Sequence, residues 1–394
     1  MGALDRPFPA GAVLILIFFL AFPVHSLFLA GVPQAKSPDT RHSEIVAPGV
    51  EHIEIRRGDF TPGTETERWT IHVLTLDAAR VRLALGRAMD EGVGTETASS
   101  IAARHGALAA TNGGYFRTTG IYRGEPAGLL WLAGKVLSEP SRNRPGLAVA
   151  ATAGGVKAAV VNLDFRAVVD AGNGRMHPVN GVNRPRENDE AIFFTPEFHR
   201  TTLTGPGGIE AVIIDGVVVS VHDGEGSRPI PENGLVISAA GKAAAWVREN
   251  LRPGGRAEVR SEAAMDPRLD WEPEFILGGG PALVRKGRPV SAADPGTYDQ
   301  GFSLKRHPRT AAGVLADGML VLVTVDGRRP ARSVGMTIAE LEGLMIELGS
   351  VEAVNLDGGG STTMVIRGKV VNSPSDPTGE RPVSDALLVF CRKL

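Results

Sequence analysis

The chain has 394 residues, 43% hydrophobic and 22% charged, a balance ordinary for a globular protein able to bury a large core. Lysine and arginine total 42 against 44 acidic residues, a formal net charge of −2, so charge gives no case for a nucleic-acid partner. A small molecule or neutral polymer fits better, and 49 glycines in short clusters point to many strands joined by tight turns.

Ala10–Phe22, "AGAVLILIFFLAF", is an unbroken apolar run preceded by Arg6 and followed by Pro23. It has the form of a secretory signal, and extended through "HSLFLAGV" it approaches the ~20 residues that span a bilayer. Residues 1–35 are therefore expected to be a signal peptide or an N-terminal membrane anchor, with a polar, proline-containing linker to about residue 44. Both readings place the rest of the chain outside the cytoplasm, periplasmic or extracellular, touching membrane only through this segment. Cys391 is the single cysteine, so the exported body would hold together without an intrachain disulfide. That suits a bacterial envelope protein better than a eukaryotic secreted one.

Further along, "HIEIRRG" and "WTIHVLTLDAARVRLALGRA" alternate apolar and polar residues and predict strands. "TETASSIAARHG" predicts a short helix capped by Thr97 or Ser99 and closed by Gly106, followed by a buried strand from Ala107 to Ala110. Strands are also expected at "AGLLWLAGKVLS", "GLAVAAT", "AVVNLDF", "EAIFFT", "IEAVIIDGVVVSVH" and "GLVISAAG", and helices at "KAAAWVRENL" and "MTIAELEGLMIELGS". The last helix has Thr337 and Glu340 in capping-box spacing and Gly349 at its end. Strands dominate, joins are short, and neither a long repeat nor a second linker interrupts the body. The expectation is one large α+β domain, its sheet largely antiparallel or mixed with a few packed helices. Residues 45–96 would form a strand-rich segment packed on the main body, 97–394.

"AVNLDGGGSTTMVI", Ala353–Ile366, sets three glycines between two buried strands, which is no place for a flexible linker. A tight turn explains one or two of them. Three, flanked by Asp357, Ser361 and Thr362, suggest main-chain amides of Gly358, Gly359 and Gly360 left bare for an anion or for sugar hydroxyls. Known alternatives are absent: no Walker A loop, no G-x-G-x-x-G opening a helix, no G-x-S-x-G elbow and no H-E-x-x-H among nine scattered histidines. No metal cluster is legible, and no cofactor is expected, although carboxylates and carbonyls holding calcium or magnesium leave only a weak signal. Other strand ends carry similar groups: Asn112 with Gly113 and Gly114, Gly278 to Gly280, Arg306 with His307 and Arg309, and Asp326 with Arg328. Each alone is an ordinary turn. Together they suggest loops gathered at one edge of a rigid sheet, where sites are usually assembled.

The segments "TNGGYF", "VNRPR", "GGGPALV", "HPRTAAG", "TVDGR", "GMTIAELEGLMIELGSVEAVNLDGGGSTTM", "NSPSD" and "ERPVSDAL" resemble, in this order, the phosphodiester glycosidase domain family. The resemblance runs from about Thr97 to the C-terminus. It implies removal of an α-linked N-acetylglucosamine, or a related envelope or exopolysaccharide sugar, from a phosphodiester, so the expected partner is a glycan or sugar phosphate. Cleavage of the anomeric C–O bond needs a carboxylate near the anomeric carbon and stabilisation of a phosphate leaving group. Asp357 and Asp326 are the candidate nucleophile or base, Arg309 the bidentate phosphate ligand, and Asn112 a hydrogen-bonding partner of sugar or phosphate. Gly358, Gly359, Gly360, Ser361, Thr362, Gly279, Gly280, Arg184, His307 and Arg328 are expected to line the substrate, with Asp376 and Glu380 of lower rank. Two rival readings are a non-catalytic glycan-binding protein and a phosphodiesterase cutting P–O.

Overall fold

The computed structural model describes residues 39–61, 67–141, 144–172, 174–290, 298 and 300–392. The apolar run at 10–22 and its expected role in export lie outside these residues. Among the described residues no helix is long and apolar enough to cross a membrane. The stretch expected to be a linker to about residue 44 includes a strand, Thr40–Ala47, paired antiparallel with Val50–Gly58.

Four sheets make up the described body. The eight-stranded sheet runs, in spatial order, Thr40–Ala47, Val50–Gly58, Arg68–Leu76, Leu320–Val325, Arg309–Leu315, Ser350–Asn355, Ala282–Arg285 and Arg288–Pro289. A five-stranded sheet follows Lys369–Val370, Met364–Ile366, Ala109–Asn112, Asp385–Cys391 and Val81–Arg87. The inner strands, such as Leu320–Val325, read as near-continuous apolar runs because both faces are covered. On one side Leu74, Leu322, Val354 and Leu356 of the first sheet share a core with Leu83, Met364 and Leu387 of the second and Leu147 and Phe275 of a third. On the other, the helix Ile338–Glu347 packs Leu341, Leu344 and Met345 on Val73, Val323 and Ala353. Its capping box is formed: Thr337 Oγ1 accepts from the Glu340 amide at 3.1 Å, and Glu340 Oε2 from the Thr337 amide at 2.9 Å. Thr97 likewise caps the helix Ala98–His105, and Gly106 closes it in the left-handed region.

Among the described residues strands hold 47% and helices 11%, so the architecture is richer in sheet than the α+β expectation. Among the described strands the pairing is antiparallel except between Gly181–Val182 and Ala191–Phe194. The largest strand not anticipated, Glu258–Asp266, pairs with the outer half of Gly155–Asp170 and is mostly exposed. It mixes charged residues with Val259, Ala263, Ala264 and Met265 without a regular alternation, the pattern a sequence reading relies on.

Two registers place the site. Ala311 opposite Asn355 and Arg309 opposite Val325 bring residues 309, 326 and 357 to one end of the eight-stranded sheet. Met364 opposite Thr111 and Ala386 opposite Asn112 bring 112, 363 and 385 to one end of the five-stranded sheet. The glycine turn crosses from one sheet to the other between Ser350–Asn355 and Met364–Ile366.

Candidate active site

The three glycines have three local causes. A Cβ on Gly358 would stand 2.8 Å from the Pro308 carbonyl oxygen, Gly359 has φ of +62°, and a Cβ on Gly360 would collide with the paired side chains of Arg381 and Asp376. The Gly358 amide donates to Asp357 Oδ1 at 2.9 Å and the Gly359 amide to Pro308 O at 2.9 Å. Those two amides are therefore committed within the protein, which corrects the expectation of a bare anion-accepting run. Ser361 and Thr362 are buried, and the Ser361 hydroxyl faces the Asp357 carboxyl.

What the turn does is present Asp357. Asp357 is half-buried as a residue, and burial of its carboxyl pushes it up to about 6, while the facing Ser361 hydroxyl, the Gly358 amide and Arg381 restrain the rise and Asp385 adds to it. Its main chain is latched on both sides: the Asp357 amide donates to Gly113 O at 3.0 Å, and Asn112 Nδ2 donates to Asp357 O at 2.7 Å. Asn112 is wholly buried, and its Oδ1 accepts from Thr310 Oγ1 at 2.8 Å and from the Thr363 amide at 3.1 Å. It therefore positions the carboxylate instead of touching a ligand, a correction to the role expected of it.

A second carboxyl stands beside the first. Asp385, 2% exposed, accepts from the Gly114 amide at 2.7 Å and from its neighbour Ser384 Oγ at 2.7 Å, and burial raises its pKa. One short turn, Asn112–Gly113–Gly114, thus holds both acids; Gly113 lacks a side chain because a Cβ there would strike Asp385 Oδ1. Tyr115 continues this turn, its hydroxyl donating to Gly280 O at 2.7 Å and accepting from Asn355 Nδ2 at 2.7 Å. Burial, together with the Asp357 charge, keeps that phenol protonated. Gly280 has φ of +124° and its amide donates to Asn355 O at 2.6 Å, while Gly279 N donates to Pro145 O at 2.9 Å. Gly279 and Gly280 therefore serve as close-packed wall.

The remaining expected residues divide. Asp326 is buried and accepts from Ser373 N at 2.8 Å, Asn372 Nδ2 at 3.2 Å and Arg332 Nε at 3.2 Å, so it braces the 372–373 loop. A carboxylate so committed is poorly placed to be a nucleophile, unlike Asp357. Arg309 is 1% exposed and donates to the carbonyls of Met336 at 2.8 Å, Phe302 at 2.7 Å and Lys305 at 3.1 Å. Its fork is turned into the protein over the Phe302 ring, so the expected bidentate grip on phosphate is not available from Nε and Nη2. Arg184 pairs with Glu139 and Glu190 as a structural clamp. Glu380 caps a helix, accepting from Ser99 N and Oγ, and Asp376 pairs with Arg381 at 2.7 Å. Arg328 is exposed, with φ of +59°, lies over Gly359, reaches His307 Nδ1 at 3.5 Å, and has no carboxylate partner among the described residues. Burial and the nearby Arg309 charge hold His307 below its usual pKa. Among the described residues no three His, Cys, Asp or Glu side chains converge to hold a metal ion.

Asp385, Asn355 and Arg144 were not singled out from the sequence. Asp385 stands in "ERPVSDAL" and opens a buried strand, a signal of the same kind as that used for Asp357. Arg144, after an exposed turn, carries none.

Fold and site together define a β-rich protein whose two antiparallel sheets meet at a pair of buried or half-buried carboxyls. Residues 207–390 match the phosphodiester glycosidase family model. The Bacillus subtilis (strain 168) SPbeta prophage-derived protein YomE, itself uncharacterized, is 44% identical over 107 residues, covering 27% of this chain and 16% of YomE. The Bos taurus N-acetylglucosamine-1-phosphodiester alpha-N-acetylglucosaminidase is 43% identical over 119 residues, 27% of this chain and 22% of the bovine protein. The chain thus matches less than a quarter of the length of these relatives. A crystal structure of a Burkholderia pseudomallei K96243 protein taken to be exported superposes with a TM-score of 0.78 at 26% identity, covering 91% of this chain and 97% of that one. A Synechocystis protein shares the fold, with a TM-score of 0.74 at 22% identity, covering 90% and 64%.

Proposed function

We propose that the protein is an exported hydrolase that cleaves the anomeric C–O bond of a sugar-1-phosphodiester, with Asp357 as nucleophile or base. The observation that carries this reading is the Asp357 carboxyl itself. It belongs to a half-buried residue, is poised at about 6, and is fixed through its main chain beside a second acid. Near pH 7 it is mostly ionised and can face the positive charge that develops at an anomeric carbon. The electron pair of the breaking bond goes to a phosphate oxygen, a leaving group that needs cations more than a proton. Arg328 at the rim supplies one. The name of the bovine relative supports an N-acetylglucosamine-type sugar.

Hydrolysis of such a substrate in oxygen-18 water is expected to label the sugar and leave the phosphate unlabelled. Label on phosphate would overturn this reading in favour of P–O cleavage. The apolar run at 10–22 supports placement outside the cytoplasm. Alkaline phosphatase fused after Leu394 should then be active in intact bacteria, and a fusion that stays inactive would move the protein to the cytosol.

A further inference from the structure

With Arg309 turned inward, the phosphate of the proposed substrate lacks the ligand first expected for it. Another arginine is free. Arg144 lines a narrow pocket together with Gly114, Tyr115, Gly278, Gly279 and Asp385. Its guanidinium lies over the Tyr115 ring at 5.4 Å and the Tyr298 ring at 5.1 Å. Its Nε is buried without a hydrogen-bond partner, and among the described residues its side chain makes no ion pair. Asp385 shares the pocket, yet both its oxygens are satisfied by the Gly114 amide and the Ser384 hydroxyl.

A guanidinium laid over two ring faces, with its Nε buried and no carboxylate partner among the described residues, leaves a donor unmet within the protein. Stacking holds it flat and leaves its N–H groups in plane for an incoming pair of oxygens, the geometry that phosphate satisfies. The main chain behind it is fixed as well, since Pro145 O accepts from the Gly279 amide at 2.9 Å. Tyr115 links this cation to the acid: its ring carries Arg144, and its hydroxyl is bound to Asn355 and lies within the field of the Asp357 charge.

We propose that Arg144 is the phosphate-binding residue of the site, gripping the phosphodiester across Tyr115 from Asp357. This rests on the hydrolase reading for its substrate but not for its ligand, and the test separates the two. Inorganic phosphate is titrated calorimetrically into the full chain and into Arg144→Gln and Arg144→Lys, with thermal melts to check folding. In parallel, kcat/KM is measured on an N-acetylglucosamine-1-phosphodiester. Arg144→Gln is expected to weaken phosphate binding roughly 10- to 100-fold and to lower kcat/KM at least as much. Arg144→Lys keeps the charge without the plane and should fall between. Should the glutamine variant not fold, the lysine variant decides, and severalfold weaker phosphate binding is required of it. Phosphate binding within twofold of the parent in a folded variant, or no binding by the parent at millimolar phosphate, overturns the proposal. Phosphate binding that depends on Arg144 in a parent protein without hydrolytic activity would uphold this inference and sink the hydrolase reading. Hydrolysis that is indifferent to Arg144 would do the reverse.

Discussion

Asp357→Asn is expected to lower turnover by roughly 10²–10⁴-fold while leaving substrate affinity nearly unchanged. Asparagine keeps the shape and can still accept from the Gly358 amide, so what is removed is the charge. The same substitution should make the folded protein more stable at neutral pH. The folded carboxyl titrates near 6, above its ordinary value of 3.8, so the native state binds this proton more tightly than the unfolded chain. The stability this group contributes is therefore full below the unfolded pKa and is lost as pH rises through about 6. Above that, ionised Asp357 costs on the order of 2–3 kcal/mol, which asparagine does not incur. Urea melts of both proteins at pH 3 and pH 8 check this, the difference being small at the lower pH, below the unfolded pKa, and largest at the higher. On the proposed mechanism, turnover of the parent protein should rise with pH through about 6 as Asp357 ionises. A variant with near-normal turnover and a normal fold would show that the acid lies elsewhere.

Asn112→Ala is expected to cost both stability and activity, for a different reason. Removing the amide strands three buried groups at once: the Asp357 carbonyl, the Thr310 hydroxyl and the Thr363 amide. Leaving such groups unsatisfied costs about 1–3 kcal/mol each before relaxation, so a loss of roughly 2–5 kcal/mol is reasonable. Turnover should fall as well, because the carboxylate loses one of its two main-chain latches, whereas Asp357→Asn leaves both in place. Denaturant unfolding beside kcat, with Asn112→Ser as a smaller perturbation, checks this. Unchanged kcat in a destabilised Asn112→Ala would reduce Asn112 to a packing residue.

Much of this was legible because it is local. The capping box at Thr337, the strands on either side of the glycines and the turn at Asn112 depend on residues within a few positions of one another, so their sequence signatures survive. Asp357 could be singled out for the same reason. Arg309 and Asp326 could not be assigned correctly, because what occupies them arrives from elsewhere: Met336 O from 27 residues away and the Ser373 amide from 47. An arginine before a strand looks identical whether its fork meets a phosphate or three carbonyls. The triple glycine misled in a similar way, since the Arg381–Asp376 pair that forbids a side chain at Gly360 sits in a loop of its own. Arg144 acquires its meaning only from two aromatic rings brought to it by other segments.

The bond from Asn112 to the Asp357 carbonyl spans 245 residues of chain, and that from Gly114 to Asp385 spans 271. Closing loops of this size carries a large entropic cost that is repaid only when both sheets have formed and docked. The isolated 353–366 peptide would therefore have the glycines and the acid but none of the chemistry. A half-folded chain would hold the residues of the proposed site without the site, because the two latches that fix Asp357 and Asp385 close only across docked sheets.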